Sequence, residues 1–242
     1  KIFYTQKFAE LTQRQRQIPR VIVIENGLVD LHQLLTDAAD AIETQSNDAL
    51  LFNLPIIIAD DATLSINQPV NIRLSEQEGA FVLVIGNLLM QNATVTGWRS
   101  NSNSPALFNG NQKAFRPFIL GYGGSEMYLI DSRFESLGFE AVGAYGISMR
   151  AISGKALTET PDALKSHYGK APTGWILGSQ FTDLYFGYYS YAAKDVVIMN
   201  NENANNIVYG IDPHYYTTGL IVAHNKINGN HKPKGYIGET RV

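Results

Sequence analysis

Two sets of residues recur along this chain at one interval and in one phase, and that pattern constrains the fold more than any other feature. Over the seven residues starting at Tyr128, Trp175, Val197 and Ile221, three hydrophobic or small residues lead to a polar pair. The pairs end in Ser132, Ser179, Asn201 and Asn225. Ser179 and Asn201 are 22 residues apart, and Asn201 and Asn225 are 24 apart. A second column runs through Tyr145-Gly-Ile, Phe186-Gly-Tyr, Tyr209-Gly-Ile and Lys234-Gly-Tyr; its last three glycines, Gly187, Gly210 and Gly235, are 23 and 25 apart. Columns in phase at roughly 20–25 residues predict a solenoid with several short strands per coil. Inward Ser and Asn at a coil corner can form a side-chain ladder that satisfies buried turn amides. A glycine at a fixed corner allows positive φ or close stacking. The predicted fold is therefore all-β, a right-handed parallel β-helix. A sandwich also suits many short strands but gives no reason for phased columns. The longer intervals, Ser132 to Ser179 (47) and Gly146 to Gly187 (41), place a loop insertion in residues 150–173.

Short β-runs with polar or Gly breaks fill the chain from residue 50 onward, among them Leu54-Pro-Ile-Ile-Ile58, Thr63-Leu-Ser-Ile66 and Ala80-Phe-Val-Leu-Val-Ile85. Before them, Val21-Ile-Val-Ile24 reads as a strand and Asn26-Gly27 as a turn. Residues 30–42 carry apolar side chains at 31, 34, 35, 38 and 42, which is helical spacing, with Asp30 as N-cap. Such a helix suits a cap over the open end of the stack, where strand edges would otherwise face water. The expected organisation is an arm, strand and capping helix over residues 1–49 and the β-helix over 50–242, cut short at its C-terminal end. Lys1 in place of Met is consistent with a processed or trimmed chain.

Composition narrows the chemistry. The 242 residues hold no cysteine, which excludes disulfides and thiolate metal sites, and no run approaches a membrane span. A net charge of −3 gives no global attraction to nucleic acid. Locally, His224 to Arg241 carries Lys226, Lys232, Lys234 and Arg241 against Glu239 alone, so either a polyanion contact or a solvated loop is expected there. His214, His224 and His231 stand 10 and 7 residues apart, which is not a compact ligand pattern, and no metal or cofactor is implied.

The glycine column also aligns the residues after each glycine. Counting on from each one places Arg150, Tyr191, His214 and Glu239 near one line on the outer face, with Arg241 two residues further. A cation, a phenol and an imidazole in a row suit an extended chain of acidic sugars. Each has a plainer use as well: Asp212 before Pro213 is a common turn former, and tyrosine rows stabilise β-helix faces.

The stretch Asn206-Ile-Val-Tyr-Gly-Ile-Asp-Pro-His214 resembles the signature of the periplasmic mannuronan C-5 epimerases of alginate biosynthesis. The likeness extends in order over about residues 50 to 238. It includes Leu54-Pro-Ile-Ile-Ile-Ala-Asp-Asp-Ala-Thr-Leu-Ser-Ile66, Thr96-Gly-Trp98, Phe115-Arg-Pro-Phe118, Asp131-Ser132, Pro172-Thr-Gly-Trp175 and Tyr185-Phe-Gly-Tyr-Tyr189. The resemblance implies a right-handed parallel β-helix in the periplasm that converts mannuronate to guluronate within the polymer. It implies His214 as the base, Asp212 as its positioning partner and Arg241 as the group that neutralises the sugar carboxylate. Tyr209 would help to shape the site, with Tyr191, Arg150, Tyr215 and Lys234 as further substrate contacts. The implied partners are an anionic polysaccharide and an alginate export complex. The chain departs from the family pattern at Tyr215-Tyr216-Thr217, where that pattern continues Asp-Arg-Ser, and in carrying Arg241 one residue late. A polyuronate lyase, which shares proton abstraction but expels the 4-linked sugar, and a non-catalytic polysaccharide-binding scaffold are the alternative readings.

Overall fold

The structure, a computed structural model, describes residues 20–152, 158 and 169–230. Here the chain winds into a parallel β-helix with three faces. The strand Ile56–Ile66 is long enough to serve two of them. Its first half pairs with Val82–Val84 and its second with Asn87–Gln91. The first face continues through Ile119–Tyr122, Gly146–Arg150, Phe186–Tyr191 and Tyr209–Pro213. The second continues through Glu126–Ile130, Thr173–Leu177, Val196–Met199 and Ile221–Ala223. The third stacks Leu50–Phe52, Val70–Ser75, Ala93–Arg99, Arg133–Glu135, Gln180–Thr182, Glu202–Ala204 and Lys226–Asn228. Along each face these strands pair in parallel. Inward apolar side chains from all three merge into one core running from Ile24 to Ile211. Within it Phe134 and Phe181, one coil apart, stack at 5.3 Å and 9°.

The two members of the recurring polar pair do different work. The first turns the chain from the second face to the third. Asn92, Asp131, Gly178, Asn200 and His224 all hold φ between 46° and 60°, a left-handed conformation that Asn, Asp and Gly adopt most readily. The second points inward and bonds the backbone of the coil before it. Ser179 Oγ accepts from Ser132 N at 3.2 Å, Asn201 Oδ1 from Ser179 N at 2.8 Å, and Asn225 Oδ1 from Asn201 N at 3.0 Å. A second ladder, not anticipated from the spacing, occupies the next corner. Asn206 Oδ1 accepts from Leu184 N at 3.0 Å and Asn230 Oδ1 from Asn206 N at 2.9 Å, after left-handed Asn205 and Gly229. A buried amide left without such a partner costs about 1–3 kcal/mol.

Gly187 and Gly210 serve close stacking. A Cβ on Gly187 would lie 2.2 Å from Asn203 Oδ1 and 2.4 Å from Gly210 O, and one on Gly210 would lie 2.7 Å from Ile227 Cγ2. The extra residues fall where the intervals place them: Arg133 pairs with Gln180 and Met149 with Ser190, so each long interval spans a single coil.

Two local expectations differ. Asp30 caps a helix, its Oδ1 accepting from Gln33 N at 2.8 Å, but that helix is Leu31–Asp37 rather than 30–42. The apolar positions 38 and 42 instead serve a turn and the short strand Ile42–Thr44, which pairs antiparallel with Leu50–Phe52. Asn26-Gly27 does not reverse the chain. Ile22–Asp30 is one strand that lies parallel on Ile56–Ile66 and follows its bend through a register shift between Ile24 and Asn26. Among the described residues no helix is long and apolar enough to cross a membrane.

Candidate active site

Strand alternation sends every second side chain of the first face outward, and two outer columns result. One passes through Ser148, Tyr189 and Asp212. The other passes through Arg150 and Tyr191 and reaches His214 one residue beyond the pairing of Ser190 with Pro213. The structure thus brings Arg150, Tyr191 and His214 into one line. Gly146 pairs with Phe186 rather than Gly187, and a register shift before Ser148 restores the phase. Glu239, Arg241 and Lys234 lie outside the described residues.

His214 is exposed at the end of the strand Tyr209–Pro213 and opens a tight turn. Its N–H donates to Ser190 O at 2.8 Å, Thr217 N donates to His214 O at 3.3 Å, and Ala192 N donates to Tyr215 O at 2.9 Å. Within the turn Tyr216 takes φ 66°, and the Ser190 and Thr217 hydroxyls are 3.1 Å apart. Both flanks of the turn are therefore tied to the coil before it. Three phenols surround the imidazole. Tyr215 meets it edge-on at 4.5 Å between ring centroids, Tyr189 lies at 5.8 Å and Tyr191 at 6.5 Å. Tyr216 packs edge-on against Tyr191 at 5.6 Å. Asp212 is buried on the same side, two residues before His214 and paired in register with Tyr189. Tyr209 lies further back along its strand, its ring 5.4 Å from Phe186.

Electrostatics links these groups. The Tyr189 phenol is pushed up to about 12, first by burial and then by Tyr145; Arg150 opposes the rise, while Asp212 and Tyr191 add to it. The Arg150 guanidinium carbon stands 5.8 Å from the Tyr191 ring centroid. Its Nε and the Ser148 Oγ are buried and have no hydrogen-bond partner among the described residues.

A loop walls the site on the N-terminal side. Phe108 joins Tyr145, Tyr185, Phe186, Tyr189 and Tyr209 in an aromatic cluster, and Tyr185 Oη donates to Gln112 Oε1 at 3.1 Å. Arg116 anchors this loop. Buried almost completely, it donates to Ala106 O at 2.9 Å, Gly138 O at 3.3 Å, Asp183 O and Asp183 Oδ2, the last at 2.6 Å. Burial pulls its pKa down to about 10, and the Asp183 carboxylate offsets part of that. Among the described residues no three His, Asp or Glu side chains gather as a metal site.

The chain is 39% identical to a mannuronan C5-epimerase of Pseudomonas aeruginosa over 238 residues, 98% of this chain and 42% of that protein. The chain is a homologue of the mannuronan C5-epimerases. Over the same 98% of its length this epimerase homologue is 35% identical to the mannuronan C5-epimerase AlgG of Azotobacter vinelandii, covering 44% of that protein. It superimposes on the crystal structure of the periplasmic alginate epimerase AlgG with a TM-score of 0.85 and 33% identity, over 93% of this chain and 52% of that one. The homologue thus spans less than half the length of these two curated relatives. No protein-family model matches it.

Ser148, Tyr145, Tyr189 and Tyr216 are not among the site residues that the sequence of the epimerase homologue points to. Two of them carry a usable signal. Once Arg150, Tyr191 and His214 point outward, so do Ser148, Tyr189 and Asp212 two residues earlier. Tyr216 reaches Tyr191 only through a left-handed turn residue, for which a Tyr-Tyr pair gives no signal. The role of Arg116 depends on a loop folding back across two corners, and no local spacing encodes that.

Proposed function

We propose that this chain inverts carbon 5 of mannuronate residues within alginate or a related polyuronate, in the periplasm, with His214 as the base. The observation that carries the reading is the place of His214: an exposed imidazole, fixed at its backbone, at the end of an outward line of Arg150 and Tyr191 in an epimerase homologue. The carbon 5 proton flanks a carboxylate, so its removal builds charge on an enediolate, and neutralising that carboxylate lowers the barrier. His214 takes the proton from one face, and water returns one to the other. Asp212, on the same side of the strand, positions the imidazole.

Arg150 lies two strands from His214, roughly 10 Å across the sheet. Its guanidinium, on the outward line beside Tyr191, suits a carboxylate of the bound polymer. Tyr191, Tyr209 and Tyr215 offer ring surface to the sugars. Arg241 and Lys234 enter only through the resemblance, Arg241 as carboxylate neutraliser and Lys234 as a polymer contact. The proposed partners are the anionic polysaccharide itself and an export complex that delivers or receives it.

Proton NMR of polymannuronate incubated with the protein tests the reaction class. New guluronate signals with chain length preserved are the expected result. Unsaturated end-group signals would make it a lyase, and unchanged polymer that still binds would make it a scaffold.

A further inference from the structure

The third face carries a feature that the epimerase reading does not use. At its N-terminal end a cavity of about 270 Å³ opens between the strands Val70–Ser75 and Ala93–Arg99; its lining includes Asn71, Arg73, Thr94, Thr96, Trp98 and Glu135. Register explains the assembly: Asn71 lies beside Thr94 and Arg73 beside Thr96, all pointing outward. Two observations mark it as built. The Arg73 guanidinium lies over the Trp98 ring, 3.6 Å from its centroid, and is held there by Nη1 donating to Gln45 Oε1 at 2.6 Å. Trp98 is only 8% exposed, yet its Nε1 has no hydrogen-bond partner among the described residues. A buried indole N–H without an acceptor is uncommon in folded proteins.

We infer that this cavity is a second carbohydrate site, separate from the His214 line, that takes one uncharged pyranose ring. The donor is the Arg73 guanidinium, and the carboxylate acceptor is Glu135. The two threonine hydroxyls and the Asn71 amide can both give and accept. That mixture matches sugar hydroxyls, which also do both. Among the described residues, Arg73 and Glu135 are the only charged side chains in the lining, one of each sign, so the lining itself carries no net charge; Glu135 also meets Arg133 at 3.8 Å. Its volume of about 270 Å³ admits one ring.

The chain has two tryptophans, so its indole N–H signals in a nitrogen–proton NMR spectrum report the site directly, and Trp175→Phe assigns them. Titration with methyl β-D-mannopyranoside at millimolar concentrations is expected to shift the Trp98 indole signal along a saturable curve. Thr94→Val and Glu135→Gln are expected to weaken that curve roughly tenfold each with unchanged circular dichroism. His214→Ala is expected to leave it unchanged, so the inference stands or falls independently of the proposed reaction. A Trp98 signal that does not move would overturn the inference, as would a shift that His214→Ala removes. Tighter binding of D-mannuronate than of the neutral glycoside would overturn the assignment to an uncharged ring.

Discussion

Arg150 is the described cation of the candidate site, and its position makes its contribution separable from that of His214. It lies two strands from the imidazole, against Tyr191. Arg150→Ala is therefore expected to raise the dissociation constant for polymannuronate roughly tenfold while changing turnover of bound polymer much less, as read by calorimetry and initial rates. Arg150→Lys should not restore binding fully, because an ammonium lacks the planar fork. Tyr189 gives a pH prediction. Its phenol is raised to about 12 in the fold by burial, above the ordinary value of 10.0. The stability this represents is complete below about pH 10 and is lost as pH rises towards 12, because the unfolded chain ionises first. Tyr189→Phe should flatten the fall in melting temperature over that window, measured by thermal denaturation. At this scale the sequence showed the outward line, since residues at equal distance from a stacked glycine share a side. It did not show the ring that each residue meets: Tyr215 against His214 and Tyr216 against Tyr191 depend on one turn with a positive φ at Tyr216.

The corner ladders are the elements that set the coil. Asn201 accepts from Ser179 N and donates to Ile176 O at 2.8 Å and Asn225 Oδ1 at 2.9 Å. Asn201→Ala leaves buried backbone groups unpaired and should destabilise the protein by about 2–4 kcal/mol, measured by urea unfolding. The loss should concentrate in amide exchange at Ser179 and at the residues of the adjoining turn. The β-helix was legible because these polar pairs recur once per coil, and a side chain that bonds the coil before it must recur at coil spacing. The Asn206–Asn230 ladder obeys the same rule but shows two rungs among the described residues. The helix end was not legible, because burial at positions 38 and 42 satisfies a helix, or a turn and strand, equally well. The bend at Asn26-Gly27 reads as a turn in the sequence because the same dipeptide serves a hairpin and a bulged strand.

Over the whole molecule, the stack supplies a rigid face and a docked loop supplies the wall. Arg116 joins the two through Ala106, Gly138 and Asp183, and its side chain is 3% exposed. Arg116→Ala breaks this buried ion pair and should cost about 3–5 kcal/mol. It should also loosen Phe108 from the aromatic cluster, so proteolysis within residues 106–114 should rise before the β-helix unfolds. The imidazole at the end of the outer line is the proposed acceptor of the proton at carbon 5. The measurement that tests it most directly is deuterium incorporation at carbon 5 of polymannuronate in heavy water, comparing the unaltered protein with His214→Ala, with polymer binding measured in parallel. Incorporation by the unaltered protein and a loss of roughly 10²–10⁴-fold in the variant are expected, with binding nearly unchanged. Incorporation at the same rate in both would contradict the proposal and assign the proton to another group.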